Sequence, residues 1–246
     1  MPLSSQPESS PLPPLLSLVR LLQLSSPTLP VGAYTYSQGL EWAVESGAVG
    51  DEAGAARWIG DALSHSMAQL EAPLVAALLA AWREGEEGGA RGGARVAALN
   101  TEFIATRETM ELRAETVQMG WSLRRLLSGL DAFAALPGWR ARLLAIEEPA
   151  FPTVWTAAAA AWEITADQSL AAYLWAWLEN QVMAAVKAVP LGQSAGQRLL
   201  ATLGARIPAL AAEAAALPEA QWSNFSPGLA IASSRHETQY TRLFRS

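Results

Sequence analysis

The sequence predicts an all-α protein, a single globular domain of about ten helices. No run of strand length alternates polar and apolar residues with a period of two, whereas apolar residues recur every three or four positions through most of the chain. Hydrophobic residues fill 51% of the 246 positions and include ten tryptophans, which is enough apolar material to form one large core.

The first part of the chain divides at prolines, glycines and N-cap residues. Residues 1–14 are rich in Pro and Ser and are expected to form a disordered tail. After a short amphipathic helix, the segment LPVGAYTY at 29–36 contains too much Gly and Pro for regular structure. Ser37 and Asp51 are suited to cap helix N-termini, since their side chains accept backbone N–H groups. Helices are predicted at 15–24, 38–46 and 52–70, and from Pro73 to a glycine-rich loop at 85–93.

One long helix is predicted from residue 94 to about residue 127. Its buried side is expected to carry Phe103, Met110, Val117 and Trp121. An ion pair is expected between Arg107 and Glu111, and the glutamates 102, 108, 111 and 115 are expected to face solvent. Five further helices are predicted at 138–146, 153–162, 167–189, 192–203 and 208–216.

The last residues differ in composition from the rest of this acidic chain. Residues 15–232 are interpreted as the all-α domain, and 233–246 as a C-terminal docking tail. Three arginines outnumber the one glutamate in this tail and alternate with aromatic and aliphatic residues, a composition suited to binding a partner. The tail is therefore expected to bind a partner and to be dispensable for the helical fold. The alternative is a tail that folds back on its own domain.

Composition argues against several classes of function. With 17 basic and 23 acidic residues the net charge is −6, which is unsuited to general nucleic-acid binding. The chain has no cysteine and only two histidines, so a transition-metal site would depend on carboxylates. No apolar run of about 20 residues and no basic leader are evident, and a soluble cytoplasmic protein is expected, without cofactor or membrane.

Lys187 is the only lysine of the chain, and it does not follow a glycine as a P-loop lysine must. The sequence therefore predicts no nucleotide-hydrolysing site of that type. Tyr173, Asn180 and Lys187 follow one another at intervals of seven in a helix that is apolar on more than one side. Such a helix favours a homodimer formed through helix faces. Alternatively, the stem of Lys187 covers apolar surface while its ammonium group reaches water.

Two other functions are weaker alternatives. A helical hydrolase could use His236 and Glu237, but the second histidine of an HExxH zinc motif is replaced by Tyr240. A DNA-binding regulator would need a basic recognition helix, and the sequence has none. The sequence therefore identifies no catalytic, cofactor-binding or metal-binding residue.

Three stretches, at 21–44, 179–200 and 233–246, together with RETMELR at 107–113, resemble the urease accessory protein UreF family. The resemblance implies a non-catalytic, all-α chaperone component that forms dimers. It implies binding to the accessory protein UreD, also called UreH, and recruitment of the GTPase UreG. It also implies that the resulting complex delivers nickel to apo-urease while the active-site lysine of urease is carbamylated.

The resemblance also supplies candidate partner-binding residues. Glu41 and Lys187 are the charged residues of two matching blocks, and an interface read by the GTPase is expected at both. One departure is Ala33, which stands where the family often has glycine. The expected partner-binding residues are Tyr34, Tyr36, Ser37, Glu41, Lys187, Arg235, His236, Glu237, Tyr240 and Arg242.

Overall fold

The computed structural model describes residues 14–84 and 90–246, and in these residues there are helices and connecting segments but no β-strand. The predicted all-α class is confirmed. The expected tail at 1–14, apart from Pro14, and the first five residues of the glycine-rich loop lie outside the described residues. The α-helices are α1 (Pro14–Leu24), α2 (Leu40–Glu45), α3 (Glu52–Ala62), α4 (Ala72–Glu84), α5 (Ala90–Ala105), α6 (Met110–Gly129), α7 (Asp131–Ala134), α8 (Pro137–Leu144), α9 (Phe151–Ala161), α10 (Ala166–Ala188), α11 (Gln193–Gly204), α12 (Ile207–Ala216) and α13 (Pro227–His236).

Two helices form the centre of the core. In α9 every residue from Pro152 to Ala161 is buried, and the helix lies between α4 and α6. Its alanines allow this close approach because a methyl group is the smallest side chain after the hydrogen of glycine. The longest helix, α10, contacts α2, α4, α11 and α12. The apolar sides of α10 therefore pack largely against other helices of the same chain. The homodimer stays a prediction.

The chain is helical without interruption from α3 to α4, although a new helix was expected at Pro73. A π-helical segment, Leu63–Glu71, joins the two α-helices. In an α-helix the carbonyl oxygen of Gln69 would accept the N–H group of residue 73, but proline has no N–H group. The backbone N–H of Ser223 donates to that oxygen instead, at 3.1 Å. A distant segment thus satisfies the carbonyl group, and the proline does not end the helix.

The predicted long helix at 94–127 is wrong, because the chain forms two helices there, α5 and α6. Thr109 begins α6 by accepting the N–H of Leu112 with its side chain. The break changes which residues face inward. Phe103 is buried as expected, but Met110 and Trp121 are 78% and 49% exposed.

The expected pairing of charges across this break is also wrong. Arg107 contacts Glu71, with Nη1 3.3 Å from the carboxylate oxygen, and not Glu111. Glu115, expected to face solvent, is buried. Arg107 lies between α5 and α6, so the unbroken helix that would place it one turn from Glu111 is absent. Glu115 accepts hydrogen bonds from Gln38 and Ser246, which lie far away in the sequence.

The stretch Gln193–Ala216 contradicts the expectation that no apolar run reaches the length needed to cross a membrane. It qualifies by length and composition alone, since an 18-residue window within it has a mean hydropathy of 1.3. In the structure it is two helices, α11 and α12, joined at Ala205–Arg206 and both packed on α10. Leu203 and Ile207 are buried on either side of that junction, so the inward face of the stretch belongs to the core.

We expect Gly120→Ala to lower the free energy of unfolding by about 2–3 kcal/mol, the cost of overpacking a core. A Cβ atom at Gly120 would lie 2.0 Å from the carbonyl oxygen of Pro149, so the backbone entering α9 would have to move. Urea unfolding followed by far-UV circular dichroism measures the change. Gly129→Ala, in the same helix but with no atom within 4 Å, is the control. Equal stabilities of the two variants would contradict this packing.

Candidate functional site

The segment that precedes α2 forms a tight turn with left-handed backbone. Gln38 and Gly39 both have positive φ, 52° and 82°, and the N–H of Leu40 donates to the carbonyl oxygen of Ser37. A Cβ atom at Gly39 would also lie 2.9 Å from the backbone nitrogen of Ser233 in α13. The helix therefore begins at Leu40, two residues later than expected. The Ser37 hydroxyl still accepts a backbone N–H, that of Glu41, at 3.3 Å.

Glu41, the second residue of α2, binds the far end of the chain. Its buried carboxylate accepts the backbone N–H groups of Leu243 at 2.6 Å and Phe244 at 2.9 Å. One of its oxygens also lies 3.2 Å from Nε2 of His236. A single carboxylate thus holds two parts of the C-terminal region in place.

Glu111, in the first turn of α6, contacts the opposite side of the same histidine. Its Oε2 is 2.6 Å from Nδ1 of His236, and its Oε1 accepts from Nη1 of Arg242 at 2.6 Å. Glu237 accepts the backbone N–H of Glu111 at 3.2 Å. His236 is completely buried, with both ring nitrogens facing carboxylates. It cannot reach a substrate, so the hydrolase hypothesis is wrong.

A third carboxylate, Glu115, binds Ser246, at the end of the sequence. It accepts the Ser246 hydroxyl and the side-chain amide of Gln38, both at 2.7 Å. Ser37 donates both its N–H and its hydroxyl to the carbonyl oxygen of Ser246, at 2.7 and 2.6 Å. We call Glu41, Glu111 and Glu115 the carboxylate clasp, and residues 233–246 the terminal segment.

The terminal segment therefore folds back on the domain, as in the alternative considered from the sequence. The boundary expected between residues 232 and 233 lies inside α13. Ser233, His236, Phe244 and Ser246 are all buried. Deleting the segment would remove the two backbone donors of the buried Glu41 and would take partners from Glu111 and Glu115. These contacts argue against the expectation that the fold tolerates this deletion, which stays a prediction.

Lys187 lies beside the terminal segment on the outer surface. Its Nζ is 5.8 Å from the centre of the Tyr34 ring and 5.7 Å from that of Phe244. Both distances are within the range of cation–π attraction. Three distant parts of the sequence thus form one surface, which is complete only when the terminal segment is in place.

The ten expected partner-binding residues divide into two groups of different exposure. The buried or half-buried residues are Tyr36, Ser37, Glu41, His236 and Glu237. Tyr36 joins α10 and α6: its carbonyl oxygen accepts from Asn180, and its hydroxyl donates to Gln118. The residues open to solvent are Tyr34, Lys187, Arg235, Tyr240 and Arg242. Only this second group can touch a partner without rearrangement of the chain.

A cavity of about 180 Å³ lies behind the clasp. Tyr173, Asn180 and Lys187 all line it, which confirms that they share one side of α10. The Tyr173 hydroxyl donates to Glu71 at 2.5 Å, and Arg107 also contacts Glu71. The sequence did not indicate that Glu71 and Arg107 are the polar partners of Tyr173. The interval of seven residues on α10 pointed only to Tyr173 itself.

Burial changes the acid–base properties of the groups in this cavity. Desolvation raises the pKa of Glu115 to about 7, against a usual value of 4.5. Burial and the neighbouring Glu71 raise the pKa of the Tyr173 hydroxyl well above its usual value. Among the residues that the structure describes, no group of three or more His, Asp or Glu is arranged to hold a metal ion.

The fold and site define an all-helical protein with an exposed basic and aromatic surface that is built on its own folded terminal segment. The sequence model of the UreF family matches residues 49–204. A urease accessory protein UreF of Azoarcus sp. (strain BH72) is 73% identical over 94% of this chain and 97% of that protein. Those of Dechloromonas aromatica and Methylobacillus flagellatus are 61% and 47% identical, each over 94% of this chain and 98% of the relative.

The chain therefore belongs to the urease accessory protein UreF family. This confirms the resemblance recognised from the sequence motifs. The family is one of accessory proteins and not of enzymes.

We expect Glu41→Gln to lower the free energy of unfolding by about 2–3 kcal/mol, the range for a buried hydrogen bond to a charged group. A glutamine would turn an NH₂ group toward one of the two backbone N–H donors that Glu41 now accepts. Urea unfolding measures the loss, and amide hydrogen exchange at Leu243 and Phe244 should become faster. Glu45→Gln, on the exposed side of the same helix, is the control. Unchanged exchange at both amides would contradict the clasp.

We expect the stability of the protein to depend on Glu115 between pH 5 and pH 8. The folded-state pKa of about 7 exceeds the usual 4.5, so the folded state binds the proton more tightly than the unfolded state. The stability that this proton provides is fully present below pH 4.5 and is lost as pH rises through 7.

The variant Glu115→Gln removes this titration. Between pH 5 and pH 8 its unfolding free energy, relative to the parent protein, should rise by about 2–3 kcal/mol. Urea unfolding at several pH values measures the difference. Parallel pH profiles of variant and parent would show that Glu115 titrates normally.

Proposed function

We propose that this protein is a scaffold for nickel insertion into apo-urease, binding UreD/UreH and recruiting and regulating the GTPase UreG. Family membership supports the assignment to urease maturation. The observation that carries the scaffold role is the exposed surface of Lys187, Tyr34 and the terminal segment, which is basic and aromatic on a chain of net charge −6.

The terminal segment is proposed to contact UreD/UreH. Arg235, Tyr240 and Arg242 are exposed along it, and Leu243 is 71% exposed. Arginines that project beside aromatic and aliphatic side chains are the residue types that contribute most to protein interfaces. The clasp fixes the backbone on which these side chains stand, so less conformational entropy is lost when they bind.

The face around Lys187 is proposed to contact UreG. The ammonium group lies between two aromatic rings, which limits its freedom while leaving it exposed. Glu41, expected at the same interface, has its carboxylate committed to Leu243 and Phe244. Its contribution is therefore proposed to be indirect, through the position of Phe244 beside Lys187.

Hydrolysis of GTP and the handling of nickel are assigned to the partners in this proposal. The lone lysine of the chain has no P-loop context, and the nickel ion is cargo. A cytoplasmic location and a homodimeric state complete the proposal.

We expect Lys187→Ala to weaken recruitment of UreG and urease activation at least about tenfold, because truncating a paired interface charge typically costs 2 kcal/mol or more. The melting temperature should change by no more than about 2 °C, since alanine favours helix. Co-purification with UreG and UreD/UreH, with stoichiometry from light scattering, measures recruitment. Arg57→Ala removes an exposed helical cation from α3 and is the control. A well-folded Lys187→Ala protein with full recruitment and activation would end this assignment.

A further inference from the structure

The cavity behind the clasp extends from the core to the surface beside Lys187. Phe103 and Trp155, which line it, are buried, whereas Tyr34 and Lys187, which also line it, are exposed. Its volume is about 180 Å³, and an apolar cavity of about 150 Å³ can hold a benzene molecule. The cavity is therefore large enough for one ring that carries a small polar group.

Aromatic side chains form much of the buried lining. The ring of Tyr173 meets that of Trp155 edge to face, with their centroids 5.3 Å apart, and it lies 6.0 Å from the ring of Phe151. Phe103 and Trp177 also line the cavity. Aromatic rings pack favourably in offset or edge-to-face pairs, so this lining favours a ligand with a flat, apolar body.

One polar group in the lining has no partner. The guanidinium group of Arg107 donates from Nη1 to Glu71 and from Nη2 to the Thr106 hydroxyl, both at 3.3 Å. Its buried Nε–H has no hydrogen-bond partner among the described residues, and the side chain is only 10% exposed. A buried donor that stays unpaired is costly. Since Arg107 lines the cavity, a ligand there could supply the missing acceptor.

The charges around the cavity are nearly balanced without a ligand. Arg107 pairs with Glu71, and Lys187 and Glu179 carry opposite charges nearer the surface. Burial raises the pKa of Glu115 to about 7, so this carboxyl group is mostly protonated at about pH 6. A charged ligand would therefore be buried without a counter-ion, whereas a neutral ligand avoids that cost.

We propose that this cavity is a binding site for a small, neutral aromatic amide. The ring would lie against the aromatic lining, and the carbonyl oxygen would accept the Nε–H of Arg107. The amide NH₂ group would donate to Glu71, whose carboxylate keeps free lone pairs after it accepts from Tyr173 and Arg107. A donor beside an acceptor in the lining thus matches an acceptor beside a donor in the ligand. The site is independent of the proposed scaffold function.

Three probes of nearly equal size and shape test the ligand class, because benzamide is neutral, benzoate is anionic and benzamidine is cationic. Isothermal titration calorimetry at about pH 6 measures their binding to the full-length protein. Benzamide should bind with a dissociation constant on the order of 1 mM or lower, at least about tenfold more tightly than either charged probe. Tighter binding of benzoate or benzamidine, or equal binding of all three, would overturn the neutral amide as the ligand. No binding of any probe would overturn the site.

Two variants test the position of the ligand. Arg107→Lys keeps the charge that pairs with Glu71 but removes the guanidinium Nε–H, and it should weaken benzamide binding at least about tenfold. Arg113→Lys makes the same change at an exposed ion pair with Glu148 and is the matched control, with unchanged binding. Circular dichroism checks the fold of each variant. A folded Arg107→Lys protein that binds benzamide as tightly as the parent would overturn the contact with Arg107.

A variant that fills the cavity tests the site without changing a charge. Ala176 lines the cavity from α10 and is half-buried. Ala176→Leu would place three more carbon atoms in the space of the ligand, and leucine is also a good helix former. Benzamide binding should be lost in this variant. Undiminished binding would show that benzamide binds elsewhere on the protein and would overturn the proposal, even if Arg107→Lys failed to fold.

Discussion

The carboxylate of Glu41 accepts two consecutive backbone N–H groups from Leu243 and Phe244, about two hundred residues away in sequence, and the geometry of the candidate site depends on this contact. A buried carboxylate must be hydrogen-bonded, because leaving it without partners inside the protein costs several kcal/mol. The terminal segment supplies those partners and is held in return. Its position then places Phe244 beside Lys187 and brings Tyr240 and Arg242 to the surface, so a buried contact determines what a partner would meet outside.

The same constraint recurs deeper in the molecule. Glu71, Glu115 and Arg107 all line the cavity, and the guanidinium group of Arg107 lies 3.3 Å from the carboxylate of Glu71. Burial is the main cause of the raised pKa of Glu115, and the nearby charge of Glu71 raises it further. The π-helical segment contributes as well, because it ends at Glu71 and so determines where that carboxylate enters the cavity.

Much of the fold could be predicted from local patterns. The N-cap at Asp51 and the extent of α10 were predicted to within one residue. The errors arose where a distant segment replaced a local interaction. Ser223 satisfies the carbonyl group that Pro73 leaves free, and Arg107 pairs with Glu71 across the core and not with Glu111 in its own region. The candidate site shows the same limit, because its motif residues were recognised as a set, but their division into buried and exposed groups was not visible in the sequence.

The sequence by itself determined the all-helical class, the family, and the residues around which the site is built, since periodicity, capping residues and motif spacing are properties of short stretches of chain. Only the tertiary structure decided that residues 233–246 are part of the domain. Composition describes what a segment can bind, and a basic, aromatic segment suits either a partner or its own domain. Three carboxylates on α2 and α6 decide the outcome, and they lie 125 to 203 residues from the groups that they bind in the terminal segment. Contacts of that separation exist only once the helices have packed, because no local pattern records which distant groups will meet.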